Sequence, residues 1–310
     1  MDKIICIAGP TASGKTSLAV ELAKLYNGEV ISCDSMQIYK RMDIGTAKPT
    51  KDEMQDIPHH MLDVAEADED FSVSRYCEIA DPIVRDILSR GKTVIIAGGT
   101  GLYMDALIKG NDFAPFPSTG RREELEALAA TEGIEAVIEQ LRIVDPEALD
   151  RSQGNPRRII RAMEVYLETG ETITAHNLKT QAIPPKYQPV WFALEDENRK
   201  DLYDRIDHRV DIMLEQGLVD EIKNLLASGI PSKCTAMQAI GYKEFIAALD
   251  GQCTIAEAAE AVKTSSRHYA KRQLTWFRRN PNVIWLRRAK GETTREIVEK
   301  ARPFLRDFDK

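Results

Sequence analysis

Apolar positions in the first hundred residues form short continuous runs instead of alternating with polar ones. Lys3–Ala8, Glu29–Ser32 and Thr93–Ala97 are such runs, and each is rich in β-branched residues. Between them, Lys15–Tyr26 and Ser72–Arg90 place apolar residues at helical spacing. Buried strands that alternate with helices are typical of a parallel sheet with helices on both faces. We therefore predict an α/β core.

The pattern changes after residue 110. Asn111–Ser118 is a turn-rich segment that interrupts the alternation, and the helical patterns beyond it have no strands between them. Those helices are predicted at Arg121–Thr131, Glu135–Leu141 and Asn155–Thr169. The proline-rich segment Ile183–Tyr187 then leads into Pro189–Leu194, which is predicted as a strand that rejoins the sheet. The expected organisation is a first core part at 1–112, an inserted helical subdomain at 113–186 and a second core part at 187–310.

The second core part has fewer strand signals. Leu202–Ala227 reads as a long helical stretch interrupted near Gly217, and Ile255–Phe277 reads as another helix. A last strand is predicted at Asn282–Leu286, and a short extended piece of the first part at Pro58–Val64. The charged helical tail from residue 291 onwards carries no evident chemistry.

Composition excludes several classes of protein. The 310 residues are 43% apolar, enough for a core in about two domains. No run approaches the roughly 18 apolar residues of a membrane span, and the N-terminus enters a strand directly without a signal-peptide pattern. The five cysteines are scattered without a Cys-x-x-Cys pair, which favours reduced thiols. We expect a cytoplasmic protein that is a monomer and has no membrane partner.

The net charge of −7 argues against general affinity for nucleic acid, but the charge is unevenly distributed. Residues 263–288 contain many cations and no acidic residue, and a second basic cluster lies at Arg151–Arg161. A basic surface on an acidic protein indicates a local polyanion site. A solvated helix face is the alternative for either cluster.

Gly9, Pro10, Thr11, Ala12, Ser13, Gly14, Lys15 and Thr16 fit Gly-x-x-x-x-Gly-Lys-Thr and lie between a predicted strand and a predicted helix. A phosphate-binding loop requires that context. Its glycines let the backbone curl, so that amides and the helix N-terminus point at a phosphate. Lys15 adds a point charge for the terminal phosphate, and the Thr16 hydroxyl can ligate Mg²⁺. The sequence therefore predicts a diphosphate or triphosphate site with Mg²⁺.

The position of the acidic residues bears on the reaction class. A motor-type NTPase would end an apolar strand in Asp or Asp-Glu, whereas Thr93–Ala97 runs into Gly98-Gly99-Thr100. Asp34 instead follows the second strand, where its carboxylate can take a proton from an acceptor beside the bound phosphates. A turn or N-cap role is the alternative for Asp34. Because the carboxyl ends of parallel strands build one crevice, we expect the phosphate loop, Asp34 and Thr100 to converge.

Several motifs together resemble those of the bacterial tRNA dimethylallyltransferases. The match covers roughly Met1 to Leu286, and the cysteine spacing lacks the zinc finger that the eukaryotic members append. The motifs are Gly9–Thr16, Asp34–Tyr39, Met42–Pro49, Pro58–Asp63, Gly98–Thr100, Ile240–Lys243 and Arg272–Phe277.

The resemblance implies transfer of a dimethylallyl group from dimethylallyl diphosphate to the exocyclic amine of adenosine 37 in tRNA, with release of diphosphate. It implies that Lys15, the loop amides and Mg²⁺ at Thr16 stabilise the leaving diphosphate. Asp34 is expected to accept the proton of the amine, and Thr100 to position the amine or a phosphate oxygen. Arg209 is expected to contact the diphosphate, although Arg205, one helical turn away, can be confused with it.

The resemblance also implies contacts with the anticodon stem-loop. The residues expected to make them are Asp34, Ser35, Met36, Gln37, Thr100, Arg122, Arg157, Arg158, Ile159, Ile160, Arg161, Gln238, Gly241, Tyr242, Lys243 and Arg272. Trp276 and Phe277 suit either base stacking or the core, and the core is favoured at their helical spacing. For His59 and His60 a structural role is favoured over a metal site.

Two alternatives remain from the residues alone. A small-molecule kinase of the nucleoside or shikimate type shares the phosphate loop and the acid after the second strand. A non-catalytic, ATP-dependent RNA-binding module shares the loop and the basic clusters. The basic second half and the inserted helices disfavour the kinase, and the placement of Asp34 and Thr100 disfavours the binding module. Whether ATP is ever a ligand stays open.

Overall fold

The computed structural model describes residues 1–110 and 119–308. The predicted boundary segment Asn111–Ser118 lies outside them. The strands of the described residues are β1 (Lys3–Ala8), β2 (Gly28–Ser32), β3 (His59–His60), β4 (Thr93–Gly98), β5 (Gln188–Asp196) and β6 (Ile284–Arg288). Their α-helices are α1 (Lys15–Leu25), α2 (Lys51–Met54), α3 (Val73–Ser89), α4 (Gly101–Lys109), α5 (Arg121–Glu132), α6 (Ile134–Val144), α7 (Pro146–Ser152), α8 (Pro156–Thr169), α9 (Ile173–Ala182), α10 (Arg199–Glu215), α11 (Leu218–Ala227), α12 (Lys243–Leu249), α13 (Ile255–Phe277) and α14 (Thr294–Ala301).

The strands of the described residues form one sheet in the order β3-β2-β4-β1-β5-β6, and every neighbouring pair is parallel. Ala8 pairs with Gly98, and Ser32 pairs with Ala97. The carboxyl ends of β1, β2 and β4 are therefore level, and the segments that follow them leave the same edge side by side. This confirms the predicted parallel core.

Both faces of the sheet are buried, as the continuous apolar runs predicted. On β1, Ile4 and Cys6 belong to a cluster that includes the buried residues of α3 and α4. Ile5 and Ile7 point to the opposite face, into a cluster with α1 and α14. Since successive side chains of a strand alternate between faces, a strand covered on both sides has no polar period. The C-terminal tail thus contributes to the core through Ile297 and its neighbours.

Contacts divide the chain into two compact units, Met1–Ile108 with Lys186–Lys310, and Lys109–Pro185. The first unit also has a helical layer, in which α11, α12 and the first half of α13 bury a cluster with the segment after β2. The break predicted near Gly217 is present, because Gly217 has a φ of +96° and separates α10 from α11. Among the described residues no helix combines the length and apolar character that a membrane crossing requires.

The second unit consists of α5–α9 in its described part and has its own core of Leu125, Val137, Leu141, Ile159 and neighbours. Asp145 organises one end of it. Its Oδ1 accepts a hydrogen bond from Ala148 N at 3.0 Å, which caps α7, and its Oδ2 accepts one from Thr174 N at 3.0 Å, at the start of α9. The sequence did not indicate α7 and α9, which are short and whose boundaries depend on this buried carboxylate.

Glu29 forms a buried ion cluster at the start of β2. It is 2% exposed and binds both terminal nitrogens of Arg90, together with Lys92 and His60. The hydrogen bonds from Arg90 hold the pKa of Glu29 well below its usual range. His60 therefore has a structural partner at 2.8 Å, and His59 Nδ1 lies 2.8 Å from the Ile57 carbonyl oxygen.

Candidate active site

The phosphate loop connects β1 to α1 and has the curled backbone that the motif predicts. Gly9 has a φ of +149° and Gly14 a φ of +86°, values that residues with a side chain rarely adopt. A Cβ at Gly9 would lie 3.0 Å from Ser13 Oγ, so the loop also has little space for a side chain at this position. Ala12 has a φ of +60° without being glycine. Ser13 Oγ is buried and has no hydrogen-bond partner in the described part of the chain.

Three cations bind the carbonyl oxygens of this loop. Lys15 Nζ donates to Pro10 O at 2.7 Å, Arg205 Nε to Ala12 O at 3.0 Å, and Arg288 Nη1 to Ser13 O at 2.9 Å. In a trans peptide the C=O and the following N–H point in opposite directions. Holding the Ala12 and Ser13 carbonyls toward arginines therefore turns the next amides away from them, as an anion site requires.

Arg205 and Arg209 have different roles, which the sequence could not separate. Arg205 is committed to structure, because it binds Ala12 O and its Nη2 pairs with Asp196 at 2.6 Å. Arg209 forms no hydrogen bond or ion pair within residues 1–110 and 119–308. Burial lowers the pKa of Arg209, Glu53 opposes that shift, and Arg205 adds to it. A desolvated guanidinium without a partner is costly, so it suits an anionic ligand.

Asp34 and Arg209 both lie close enough to Lys15 to act on its charge. The Lys15 side chain is partly exposed, yet burial lowers its pKa to about 8. The Asp34 carboxylate opposes that shift and Arg209 adds to it. The structure thus brings the predicted base and the predicted second cation close to Lys15, the predicted phosphate cation.

The contacts of Asp34 are compatible with both a turn role and a proton-accepting role. Its Oδ1 accepts hydrogen bonds from Met36 N at 2.9 Å and Gln37 N at 3.4 Å, which makes it the first residue of a turn. Its Oδ2 has no hydrogen-bond partner among the described residues and remains available as a proton acceptor. One oxygen therefore fixes the carboxylate while the other is free for chemistry.

Thr100 joins the ends of β2 and β4. Its Oγ1 accepts a hydrogen bond from Ser35 N at 3.0 Å, and its own N–H donates to Cys33 O at 3.1 Å. Gly98 permits this approach, because a Cβ there would lie 1.9 Å from Cys33 O. Thr100 therefore holds the turn that carries Asp34, in addition to any contact with substrate.

Tyr269 of α13 is a site residue that the sequence did not reveal. Its phenol lies close enough to the Thr100 side chain for Thr100 to lower the pKa of Tyr269. Burial raises the pKa of Tyr269 to about 12, and the nearby Asp34 carboxylate adds to the rise. The Arg272 guanidinium carbon lies 5.5 Å from the Tyr269 ring centroid. Only the proximity of α13 to the sheet edge, which is a tertiary feature, identifies this residue.

The remaining residues predicted to contact the target base are already engaged within the protein. Ser35 and Met36 are half-buried beside Asp34. Gln37 Oε1 accepts from Ser32 Oγ at 3.0 Å, and Gln37 Nε2 lies within hydrogen-bond distance of Thr46 O and Ala47 O. In this structure its amide therefore joins the end of β2 to the segment that contains Thr46 and Ala47.

The segment 238–243 presents only part of its predicted RNA contacts. Tyr242 is fully buried, and its hydroxyl donates to Glu221 Oε1 at 2.7 Å. Gly241 is buried as well, whereas Gln238 and Lys243 are exposed. The Tyr242 ring packs in the core of the helical layer, so the exposed side chains of this segment are those of Gln238 and Lys243, and its contact with RNA stays a prediction.

In the helical unit, Arg157 and Arg158 are exposed at the start of α8 and have no ion pair among the described residues. Arg122 pairs with Glu126 and Arg161 with Glu164. Ile159 and Ile160 are 0% and 7% exposed in the core of the unit. Helical periodicity turns these two side chains inward, and the RNA contact predicted for the segment stays a prediction.

The basic run 263–288 is divided between structural and exposed cations. The structural cations include Arg267, which binds both oxygens of Asp207, and Arg288 at the phosphate loop. Lys271 and Arg272 are exposed and have no ion pair in the described part of the chain. Phe277 is 2% exposed, and Trp276 and Trp285 pack against the same core cluster as α3 and α4, whereas Tyr269 is half-buried beside Thr100.

Comparison with known proteins supports the same reading. A tRNA dimethylallyltransferase of Thermoanaerobacter sp. (strain X514) is 48% identical over 286 residues, which cover 91% of each chain. One from Acetivibrio thermocellus is 43% identical over 310 residues, which cover 99% of each chain.

Solved structures are similar over the same extent. The tRNA isopentenylpyrophosphate transferase of Bacillus halodurans has a TM-score of 0.75 at 41% identity, and covers 100% of this chain and 97% of that one. A eukaryotic dimethylallyltransferase acting on tRNA has a TM-score of 0.84 at 29% identity, and covers 99% of this chain and 80% of that one. The model of the IPP transferase family matches residues 37–280. With these relatives and this match, the chain belongs to the IPP transferase family.

Proposed function

We propose that this protein transfers the dimethylallyl group of dimethylallyl diphosphate to the exocyclic amine of adenosine 37 in tRNA. The observation that carries the proposal is the grouping of Lys15, Asp34 and Arg209 at the carboxyl edge of the sheet. Two cations and a curled loop suit a diphosphate, and a carboxylate beside them suits a nucleophile that must lose a proton. The relatives named above support the substrates.

The reaction balances with these groups. The amine nitrogen forms a bond to the allylic carbon while the bond from that carbon to the diphosphate oxygen breaks. Lys15 and Arg209 stabilise the negative charge that develops on the diphosphate. The proton of the amine passes to Asp34 Oδ2, because Oδ1 is occupied by the turn.

The residues present fit a Mg²⁺ ion bound together with diphosphate. Thr16 Oγ has no hydrogen-bond partner among the described residues, and Mg²⁺ prefers oxygen ligands from a protein and from substrate phosphates. We propose that Thr16 holds the ion, which would supply further charge stabilisation to the leaving group. The predicted cytoplasmic location and monomeric state stay predictions.

Incubation with undermodified tRNA, labelled dimethylallyl diphosphate and Mg²⁺ tests the proposal. We expect label in the RNA and release of one diphosphate per label. A parallel reaction with labelled ATP and a panel of nucleosides and shikimate tests the kinase alternative. Label absent from RNA together with phosphate moved from ATP to a metabolite would replace the proposal with the kinase.

A further inference from the structure

Gln273 of α13 connects the phosphate loop to the end of β4. It is 5% exposed, and its Oε1 accepts a hydrogen bond from Thr11 N at 2.9 Å. Its Nε2 donates to Gly99 O at 3.0 Å. One side-chain amide thus spans two segments that leave neighbouring strands of the sheet.

The surroundings of Gln273 are built for this contact. A Cβ at Gly99 would lie 2.0 Å from Gln273 Nε2, so glycine is needed there for the amide to approach. One turn along α13, Trp276 packs against Gly101, where a Cβ would lie 2.2 Å from the indole. Trp276 Nε1 also donates to Asp105 Oδ2 at 2.9 Å. The helix is therefore joined to β4 and α4 at successive turns.

The two segments joined by Gln273 carry opposite ends of the proposed reaction. Thr11 belongs to the loop that holds the leaving diphosphate. Gly99 precedes Thr100, whose hydroxyl binds Ser35 N and thereby holds the turn of Asp34. The distance between the phosphate loop and the turn that carries Asp34 is therefore set by the Gln273 amide as well as by the sheet.

We propose that Gln273 is a positioning residue that fixes the spacing between the diphosphate cradle and the Asp34–Thr100 side of the site. This inference rests on the proposed function. The chemistry of the contact requires glutamine, because one acceptor and one donor must sit on a side chain of this length. Glutamate supplies only acceptors when ionised, and methionine matches the length without a comparable donor or acceptor. Misplacement of reacting groups by about 1 Å costs on the order of 100-fold in rate.

The test compares Gln273→Met, Gln273→Glu and the control Thr275→Val with the wild type. Thr275 is exposed on the same helix, and its hydroxyl donates to the Lys271 carbonyl, its one hydrogen-bond partner among the described residues. Single-turnover rates at saturating substrates, tRNA affinity and thermal unfolding are measured for each. We expect Gln273→Met to lower the rate about 10- to 100-fold while tRNA affinity changes less than about twofold. Thr275→Val is expected to behave as the wild type.

Gln273→Glu adds a readout that a purely structural contact would not give. When ionised, its second oxygen faces Gly99 O and repels it, and burial raises the pKa of such a carboxyl. Protonation supplies an O–H donor to Gly99 O in place of the amide. We therefore expect the rate of Gln273→Glu relative to wild type to fall as pH rises from 6 to 8.5, with unchanged tRNA affinity.

A pair of variants keeps the inference testable if Gln273→Met or Gln273→Glu fails to fold. Gly99→Ala should be harmful chiefly through its clash with the Gln273 amide, so Gly99→Ala combined with Gln273→Ala should be no slower than Gln273→Ala alone. The inference would be overturned if the rate losses of Gly99→Ala and Gln273→Ala multiplied in the double variant. A Gln273→Met rate within twofold of wild type would also overturn it, and so would equal losses of rate and tRNA affinity in Gln273→Met. If the wild type itself transfers no label, the proposed function fails, and titration with inorganic diphosphate decides on Gln273: equal affinity in wild type and Gln273→Met overturns its role.

Discussion

Arg288 lies directly against the backbone of Gly14. A Cβ added at Gly14 would come within 2.9 Å of two guanidinium nitrogens of Arg288, and the φ of Gly14 is +86°. The glycine is therefore required twice, once by the left-handed backbone and once by the arginine behind it. Because Arg288 Nη1 also binds Ser13 O, the last residue of β6 supports the loop that begins at β1.

We expect Arg288→Met to weaken binding of dimethylallyl diphosphate about tenfold, because a hydrogen bond from a charged donor contributes on the order of 1.5 kcal/mol. The Ser13 carbonyl would lose its partner and the loop amides their fixed direction. Isothermal titration of the diphosphate gives the affinity. Arg287→Met is the matched control, since the Arg287 side chain is 71% exposed and comes no closer than 3.9 Å to the Glu195 carboxylate. Equal affinities of both variants would contradict a role for Arg288 in the loop.

Asp34→Asn isolates the proton-accepting oxygen. Asparagine keeps an acceptor for Met36 N, so the turn should persist, while the carboxylate that takes the proton is lost. We expect the single-turnover rate to fall about 100- to 10,000-fold, the usual range for removal of a general base, with tRNA affinity within about threefold. Asp34→Ala also removes the turn contact and should lower tRNA affinity as well. If Asp34→Asn stays as fast as wild type, Asp34 is a turn residue only.

The sequence predicted the parts of this fold that depend on local pattern. The continuous apolar runs located β1, β2 and β4, because a strand that is buried on both faces is apolar along most of its length. The Gly-x-x-x-x-Gly-Lys-Thr motif located the curled loop between β1 and α1, because its glycines adopt backbone angles that other residues rarely adopt. The level ends of parallel strands then placed Asp34 and Thr100 beside Lys15 without any knowledge of packing.

The parts that depend on tertiary packing could not be predicted. Spacing alone cannot separate Arg205 from Arg209, because both lie on one face of α10, and only the contacts of Arg205 with Ala12 and Asp196 do so. Helical periodicity does not identify Tyr269 and Gln273 as site residues, since a polar residue on a long helix is usually predicted to face solvent. The burial of Tyr242 in the helical layer is likewise a tertiary feature that its motif does not indicate.

Lys15 gives the site a pH dependence of known sign. Its pKa in the free protein is about 8, below the ordinary lysine value because burial disfavours the charge. A bound diphosphate favours the charged form, so binding above pH 8 must take up a proton. We therefore expect the affinity for dimethylallyl diphosphate to fall, by at most tenfold per pH unit, as the pH rises above 8. Titrations at pH 6.5, 8 and 9 measure this, and Lys15→Met should bind weakly with little change over the same range. Constant wild-type affinity up to pH 9 would mean that Lys15 does not contact the diphosphate.

Arg272 and Arg267 lie little more than one turn apart on α13 and test which part of the basic run meets tRNA. Arg272 is exposed without an ion pair among the described residues, whereas Arg267 is neutralised by two hydrogen bonds to Asp207 at 2.6 and 2.7 Å. A cation that neutralises an RNA phosphate releases about one counterion, so its loss lowers the slope of log affinity against log salt by about 1. We expect Arg272→Gln to weaken tRNA binding and to lower this slope, and Arg158→Gln to do the same from the helical unit. Arg267→Gln should leave the slope unchanged, because its charge is already compensated within the protein. Binding isotherms at several salt concentrations measure all three, and an unchanged slope for Arg272→Gln would place that residue outside the RNA interface.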